Sequence, residues 1–170
     1  MKTASFLILA FILISNIKSF SQTSDEYYNN GKAKIDNNDF QGAIEDFNKA
    51  LEINPKNGLA FNYRGYSKYK LQNYNGAIED FNKAIEINPK NGFAYICKGN
   101  ANAKLKDYNE TMEDFNKAIE INPKDSNAYA FRGLLKIRLG QKESACVDFY
   151  KAVELGYEEA NQFIQEFCDK

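Results

Sequence analysis

Three adjacent carboxylate pairs, Glu45-Asp46, Glu79-Asp80 and Glu113-Asp114, are the side chains of this sequence best suited by type to acid and base chemistry. Two carboxyls flanking a glycosidic bond can cleave it, one as acid and one as base or nucleophile. Their setting points elsewhere. Each pair falls near the start of an amphipathic stretch, where the helix macrodipole favours negative charge. Glu45, Glu79 and Glu113 also precede Lys49, Lys83 and Lys117 by four residues, the favoured order for a helical ion pair. The pairs are therefore expected on a solvated outer face. The chain has 0 His, which excludes every Ser-His, Cys-His and His-metal arrangement within it. Cys97, Cys146 and Cys168 show no C-x-x-C spacing, so neither a zinc ribbon nor a thioredoxin-like pair is indicated. Cys97 has no base to activate it and is read as a small apolar filler. No catalytic residue, metal ligand or cofactor is expected.

The elements that carry these residues are bounded by composition. With 170 residues, 44% hydrophobic and 26% charged, the chain can fold around a sizeable core. Its 22 Lys plus Arg oppose 23 Asp plus Glu, so no strong pull toward nucleic acid follows. Met1-Lys2, the apolar run Ala4 to Ile14, the more polar stretch through Lys18 and the small Ser19 and Ser21 have the order of a secretory signal peptide over residues 1–21. The run falls short of the ~20 apolar residues that span a bilayer, so no membrane span is expected in the mature chain. No Cys lies near the cleavage point to accept a lipid. The segment resembles Gram-negative export signals, which implies a periplasmic or secreted protein.

Self-similarity decides the fold class. Gly42 to Gly58 recurs at Gly76 to Gly92, 34 residues on, with Leu51 replaced by Ile85. A third copy runs from Glu113 to Lys124, and a decayed fourth begins at Val147. Pro55, Pro89 and Pro123 each follow Asn, a pair that ends a helix, and the fourth copy stops at Gly156 instead. Between stops lie two amphipathic stretches per copy, such as Leu59 to Leu71 and Tyr74 to Ile87, parted by Gln72-Asn73. Each repeat is thus a helix hairpin. Gly31, Gly65, Gly99 and Gly133 sit in first helices, opposite Ala43, Ala77, Thr111 and Ala145 in second helices, so small residues are expected to face small ones. On that basis Ala77→Leu should destabilise more than Ala160→Leu.

These residues resemble the tetratricopeptide repeat family. The bulky site is Tyr27, Phe61, Tyr95 and Tyr129; the Gly follows; the Phe is Phe47, Phe81, Phe115 and Phe149; and Ala50, Ala84, Ala118 and Ala152 complete the pattern. Asn30, Arg64, Lys98 and Arg132 depart from it, replacing the common Leu before the Gly. The resemblance implies an all-α, right-handed α-solenoid of four helix-turn-helix repeats at 24–57, 58–91, 92–125 and 126–157. A capping helix is expected at 158–169, with Ala160, Phe163, Ile164 and Phe167 on its covering face. Cys146 and Cys168 lie 11 residues before and after Tyr157 on helices that would run antiparallel. They are either a disulfide stapling the cap or two buried thiols.

In this family the first helices line a concave surface that commonly holds a peptide or partner helix. The residues placed there are Tyr28, Lys32, Leu59, Asn62, Tyr63, Tyr66, Tyr69, Phe93, Ile96, Asn100, Asn127, Phe131, Ala130, Leu134 and Ile137, with several rings alternatively packing between repeats. Family members that clamp a chaperone's terminal carboxylate use Lys, Asn and Arg at positions held here by Tyr28, Lys32, Tyr63, Phe93 and Cys97, and none matches. The reading is a non-enzymatic scaffold binding an unnamed protein or peptide partner. The alternative is a structural protein that stacks end to end into a homo-oligomer through an uncapped amino-terminal face. Mass spectrometry of the protein recovered from the cell envelope or medium should find Gln22 as the amino terminus, and an intact Met1 would exclude cleavage after Ser21.

Overall fold

The computed structural model describes residues 23–169; the expected signal segment lies outside them. Eight helices pair into four hairpins: α1 (23–36) with α2 (Phe40–Ile53), α3 (Gly58–Lys70) with α4 (Tyr74–Ile87), α5 (Gly92–Lys104) with α6 (Tyr108–Ile121), and α7 (Ser126–Arg138) with α8 (Lys142–Glu154). A short α9 (Ala160–Phe163) runs into a wider π turn over Ile164–Cys168. Each hairpin packs against the next, building an α-solenoid whose core is a row of small clusters rather than one centre.

Local chemistry sets the helix ends. Asp39, Asn73 and Asp107 accept hydrogen bonds from the amides of Gly42, Gly76 and Glu110, capping the second helices, while Asn57, Asn91 and Asp125 cap first helices. Such caps contribute about 1 kcal/mol each. Between the helices of each hairpin the chain turns through one left-handed residue, Asn38, Gln72, Lys106 or Gly140, and the Asn73 amide donates to the Lys68 carbonyl across the turn. Gly156, with φ +96°, closes the fourth repeat in the same way.

The glycines of the first helices meet phenylalanine rings, and Gly65 also meets the backbone of Ala77, the close approach expected there. A Cβ built on Gly65 would lie 2.9 Å from Cε1 of Phe81 and 3.1 Å from the Ala77 carbonyl oxygen, and one on Gly31 would lie 2.8 Å from Phe47. The missing side chain makes room for a phenylalanine ring, and Phe47, Phe81, Phe115 and Phe149 are at most 2% exposed. Burying each contributes about 1.5 to 3 kcal/mol. Ala160 is as fully enclosed as Ala77, so the expected contrast between leucine substitutions at the two sites disappears.

The carboxylate pairs divide. Glu45, Glu79 and Glu113 are exposed, but Asp46, Asp80, Asp114 and Asp148 are buried against cations of the first helix of their own hairpin. Arg64 holds Asp80 with two hydrogen bonds of 2.9 and 2.6 Å, Lys68 adds a contact at 2.8 Å, and Arg132 and Lys136 repeat the pattern on Asp148. Arg64 also donates to Asn48, and Arg132 to Asn116, each 2.7 Å away on the preceding repeat. Arg64 and Arg132, two of the four residues that replace the family's Leu, are thus ties both within and between repeats. The expected Glu-to-Lys pairs at four-residue spacing give way to Lys83–Glu86, Lys117–Glu120 and Lys151–Glu154, while Lys49 lies over the Tyr27 ring.

Asp114 is the weak member. Among the described residues it meets Lys98, at 3.0 Å, and the Asn102 amide, at 3.0 Å: a lysine that cannot fork takes the arginine's place, and Asn102 takes the place of the second lysine. Burial pushes its carboxyl up to about 6, against the lowering effect of Lys98 and Asn102. The folded chain therefore holds this proton more tightly than the unfolded chain, whose carboxyl titrates near 3.8. Its stability contribution is full below that value and is lost as pH rises through about 6. Relative to the parent, Asp114→Asn should gain melting temperature between those two pH values and hold a constant difference above them. Lys98→Arg should flatten the same window by supplying the fork; equal pH profiles for all three proteins would show that Asp114 stays charged throughout.

At the carboxyl end Ala160 and Ile164 are buried against Ala145, Phe149 and Ala152, with Phe163 and Phe167 beside them. The sulfurs of Cys146 and Cys168 are 2.07 Å apart and their Cα atoms 5.8 Å, closing a loop between residues separated by 22 positions. A cross-link of this span contributes about 3 kcal/mol in the chain-entropy picture. Alkylation of the denatured, unreduced protein should label one thiol, Cys97, and reduction should expose the other two; three labelled thiols without reductant would mean no staple.

Candidate functional site

Helical periodicity sends one stripe of each first helix into the hairpin and leaves another free along the inner side of the stack. The free stripe begins with Leu59 on α3 and Phe93 on α5, which are 55% and 48% exposed. Two turns on from Leu59, Tyr66 is half-buried, its ring 6.4 Å from that of Phe40 with the Lys70 ammonium 5.5 Å from its centre. Tyr69 stands 5.6 Å from Tyr74, and burial foremost, then the neighbouring Tyr74, raises its hydroxyl pKa above the usual phenol value.

Other residues expected on this face lie deeper. Asn62 is 1% exposed and Ile96 5%, so both are corrected from groove contacts to packing between repeats. Each sits three positions after the exposed Leu59 or Phe93, a rotation of about 60° short of a full turn that carries it under the neighbouring hairpin. The Asn62 Oδ1 has no hydrogen-bond partner among the described residues. Tyr28 and Tyr63 pack on Phe47 and against each other, with the Lys32 ammonium 5.7 and 5.6 Å from their rings. Burial raises the Tyr28 pKa, with Tyr63 adding to it. Asn127 is exposed but engaged at the start of α7, where its amide donates to Asp125. Phe131 joins the cluster around Ile96 on one side and faces open space on the other.

That open space is a cleft of about 560 Å³. Phe131, Leu134, Ile137 and Phe167 line it together with Tyr69, Asn100 and Tyr108. Lys104 and Arg138 edge it. Of the expected groove residues Tyr69, Asn100, Phe131, Leu134 and Ile137 reach this cleft, and Phe167 joins them from the cap. Lys104, Tyr108 and Arg138 were missed, although a signal was present: Lys70, Lys104 and Arg138 recur at the repeat period. A second, smaller hollow of about 420 Å³ lies among Asn54, Asn57, Leu59, Asn88 and Asn91 at the helix starts. Burial pushes the Cys97 thiol up to about 12, which leaves it protonated and poorly nucleophilic at neutral pH. Among the described residues there is no group of three His, Cys, Asp or Glu that could hold a metal, and no helix long and apolar enough to cross a membrane.

Family models described as tetratricopeptide repeat match residues 24–57, 58–91 and 93–125, and a further model of the same description matches 126–155. No curated protein matches the chain in sequence. Among solved structures, a MamA protein is similar over 79% of this chain and 73% of its own, at 25% identity and a TM-score of 0.70. PilF of Pseudomonas aeruginosa is 20% identical over 82% of this chain and 64% of its own, with a TM-score of 0.75. The first repeat domain of Spaghetti (RPAP3), solved with the HSP90 peptide SRMEEVD, is 22% identical over 71% of this chain and 95% of its own, with a TM-score of 0.68.

Proposed function

The chain belongs to the tetratricopeptide repeat family, whose fold is a protein-interaction scaffold, and we propose that it is a non-enzymatic, exported member that binds a peptide or a segment of a partner protein along its inner groove. The observation that carries the reading is the run of exposed apolar surface on successive first helices, from Leu59 and Phe93 to the open cleft above Phe131 and Leu134. Large apolar side chains gathered in a concavity favour a ligand that removes them from water. Tyrosine and asparagine beside them add hydrogen bonding at low entropic cost. RPAP3 offers a peptide-bound example of the fold, but the chain lacks the clamp residues for a terminal carboxylate. Export draws support from the signal pattern of residues 1–21 and from the juxtaposed Cys146 and Cys168, a pairing suited to an oxidising compartment.

End-to-end stacking has less behind it. The exposed residues of α1, namely Asp25, Glu26, Asn29, Asn30, Lys32, Ala33 and Asp36, include a single apolar side chain, and a small one. Gel filtration of the purified chain separates the two readings directly.

Selection of a random peptide library on the purified chain should return binders. Tyr66→Ala should weaken them by about 1 to 2 kcal/mol while leaving helical content unchanged, and Phe47→Ala should lower stability first, by about 3 to 5 kcal/mol. Full retention of binding by Tyr66→Ala, Tyr69→Ala and Phe93→Ala combined would sink the inner-groove reading.

A further inference from the structure

We infer that the carboxyl-terminal half of the groove selects an acidic segment of a partner protein, seating an apolar anchor in the cleft and carboxylates on Lys104 and Arg138. The inference rests on the inner-groove reading and adds to it the chemistry of the ligand.

The cations of the first helices sort into two sets. Lys34, Arg64, Lys68, Lys98, Arg132 and Lys136 each hold a buried aspartate within 3.0 Å and are committed to the fold. Lys32, Lys70, Lys104 and Arg138 have no carboxylate in ion-pair contact among the described residues. Three of these, Lys70, Lys104 and Arg138, occupy the same position in consecutive repeats. Asp36 takes that position in the first repeat, so the row begins only at the second.

A cation in the last turn of a helix is favoured by the macrodipole alone. This row has more than that. The Arg138 guanidinium lies 5.9 Å from the centre of the Tyr108 ring, and its Nη1 donates to the Tyr108 hydroxyl at 3.4 Å. Lys70 sits over Phe40 and Tyr66 at 5.9 and 5.5 Å. Arg138 and Lys104 line the cleft, and no carboxylate lines it among the described residues, so its charge there is of one sign. Packed helices lie about 8 to 10 Å apart, and an extended polyproline-like segment advances about 9 Å in three residues with the same face presented again. Carboxylates three residues apart can then reach Lys104 and Arg138 while a side chain between them descends onto Leu134 and Phe167. The chain's own amino-terminal segment, with Lys2 and Lys18 and no acid before Asp25, has the wrong sign for this role. A second copy, through its exposed glutamates, is the competing occupant.

Short fluorescein-labelled peptides with a central Leu flanked by Glu, by Gln or by Lys test the inference by anisotropy on the purified chain. The Glu peptide should bind about tenfold tighter than the Gln peptide in about 50 mM NaCl, with the advantage shrinking in about 500 mM. Lys104→Gln with Arg138→Gln should remove the advantage without changing affinity for the Gln peptide, and Lys104→Glu with Arg138→Glu should transfer preference to the Lys peptide. Circular dichroism reports whether each variant is folded. Equal binding of Glu and Gln peptides, or an advantage that survives the double substitution, overturns acid selectivity. If that binding is still lost in the Tyr66, Tyr69 and Phe93 triple variant, the groove reading stands; if no variant affects it, both fall. No binding by any of the peptides overturns the inference and leaves the groove to the library selection. Self-association that the double Gln variant abolishes identifies a second copy as the occupant and overturns the partner assignment.

Discussion

Within each hairpin a phenylalanine ring of the second helix lies on a first-helix glycine that has no Cβ to resist it. The spacing of the two helices, and with it the direction of every first-helix side chain, follows from this contact. Adding one carbon at Gly65 would bring it to 2.9 Å from the Phe81 ring and 3.1 Å from a backbone oxygen, and only the ring could yield. Because the same contact recurs through Gly31, Gly99 and Gly133, the four hairpins are near copies, and their first helices form a continuous inner wall. A wall of this kind can carry a groove that no single hairpin possesses.

The buried aspartates work on top of that contact. A lone ionised carboxylate at this depth would be costly, and the fork of Arg64 or Arg132 offsets the cost while a further nitrogen reaches the preceding repeat. The tie is therefore repeat-to-repeat as well as helix-to-helix. At Lys98 the reach is missing, and burial raises the pKa of Asp114, so the third hairpin carries a pH-sensitive tie.

Committing these cations to the fold has a consequence for the inner face. Of those left over, Lys70, Lys104 and Arg138 recur at the repeat period with no carboxylate in ion-pair contact among the described residues, and Lys104 and Arg138 line the cleft. The capping segment enters the same region: its Ala160 and Ile164 fill the end of the core, while Phe167 turns toward the cleft, one residue before the half-cystine that anchors it to α8. Cap and cleft are one piece of structure here.

Much of this was legible in the residues. The 34-residue period, the Asn-Pro stops and the Gly, Phe and Ala positions determined the hairpins and their stacking, because local helix signals and the repeat agree at every copy. The same period also carried the pairing of Arg64 with Asp80 and Arg132 with Asp148, always 16 residues apart, though its meaning is plain only once both ends are seen to be buried. Depth was decided by tertiary structure. Asn62 and Leu59 share a helical face by periodicity, yet one is 1% and the other 55% exposed, since the neighbouring hairpin covers one edge of that face and not the other. Asp46 and Glu45 are adjacent acids that the sequence treats alike, and only the position of the first helix buries one of them. The cleft likewise gathers residues from α3, α5, α6, α7 and the cap, up to Phe167, and no local pattern reports a surface made by the approach of five separate segments.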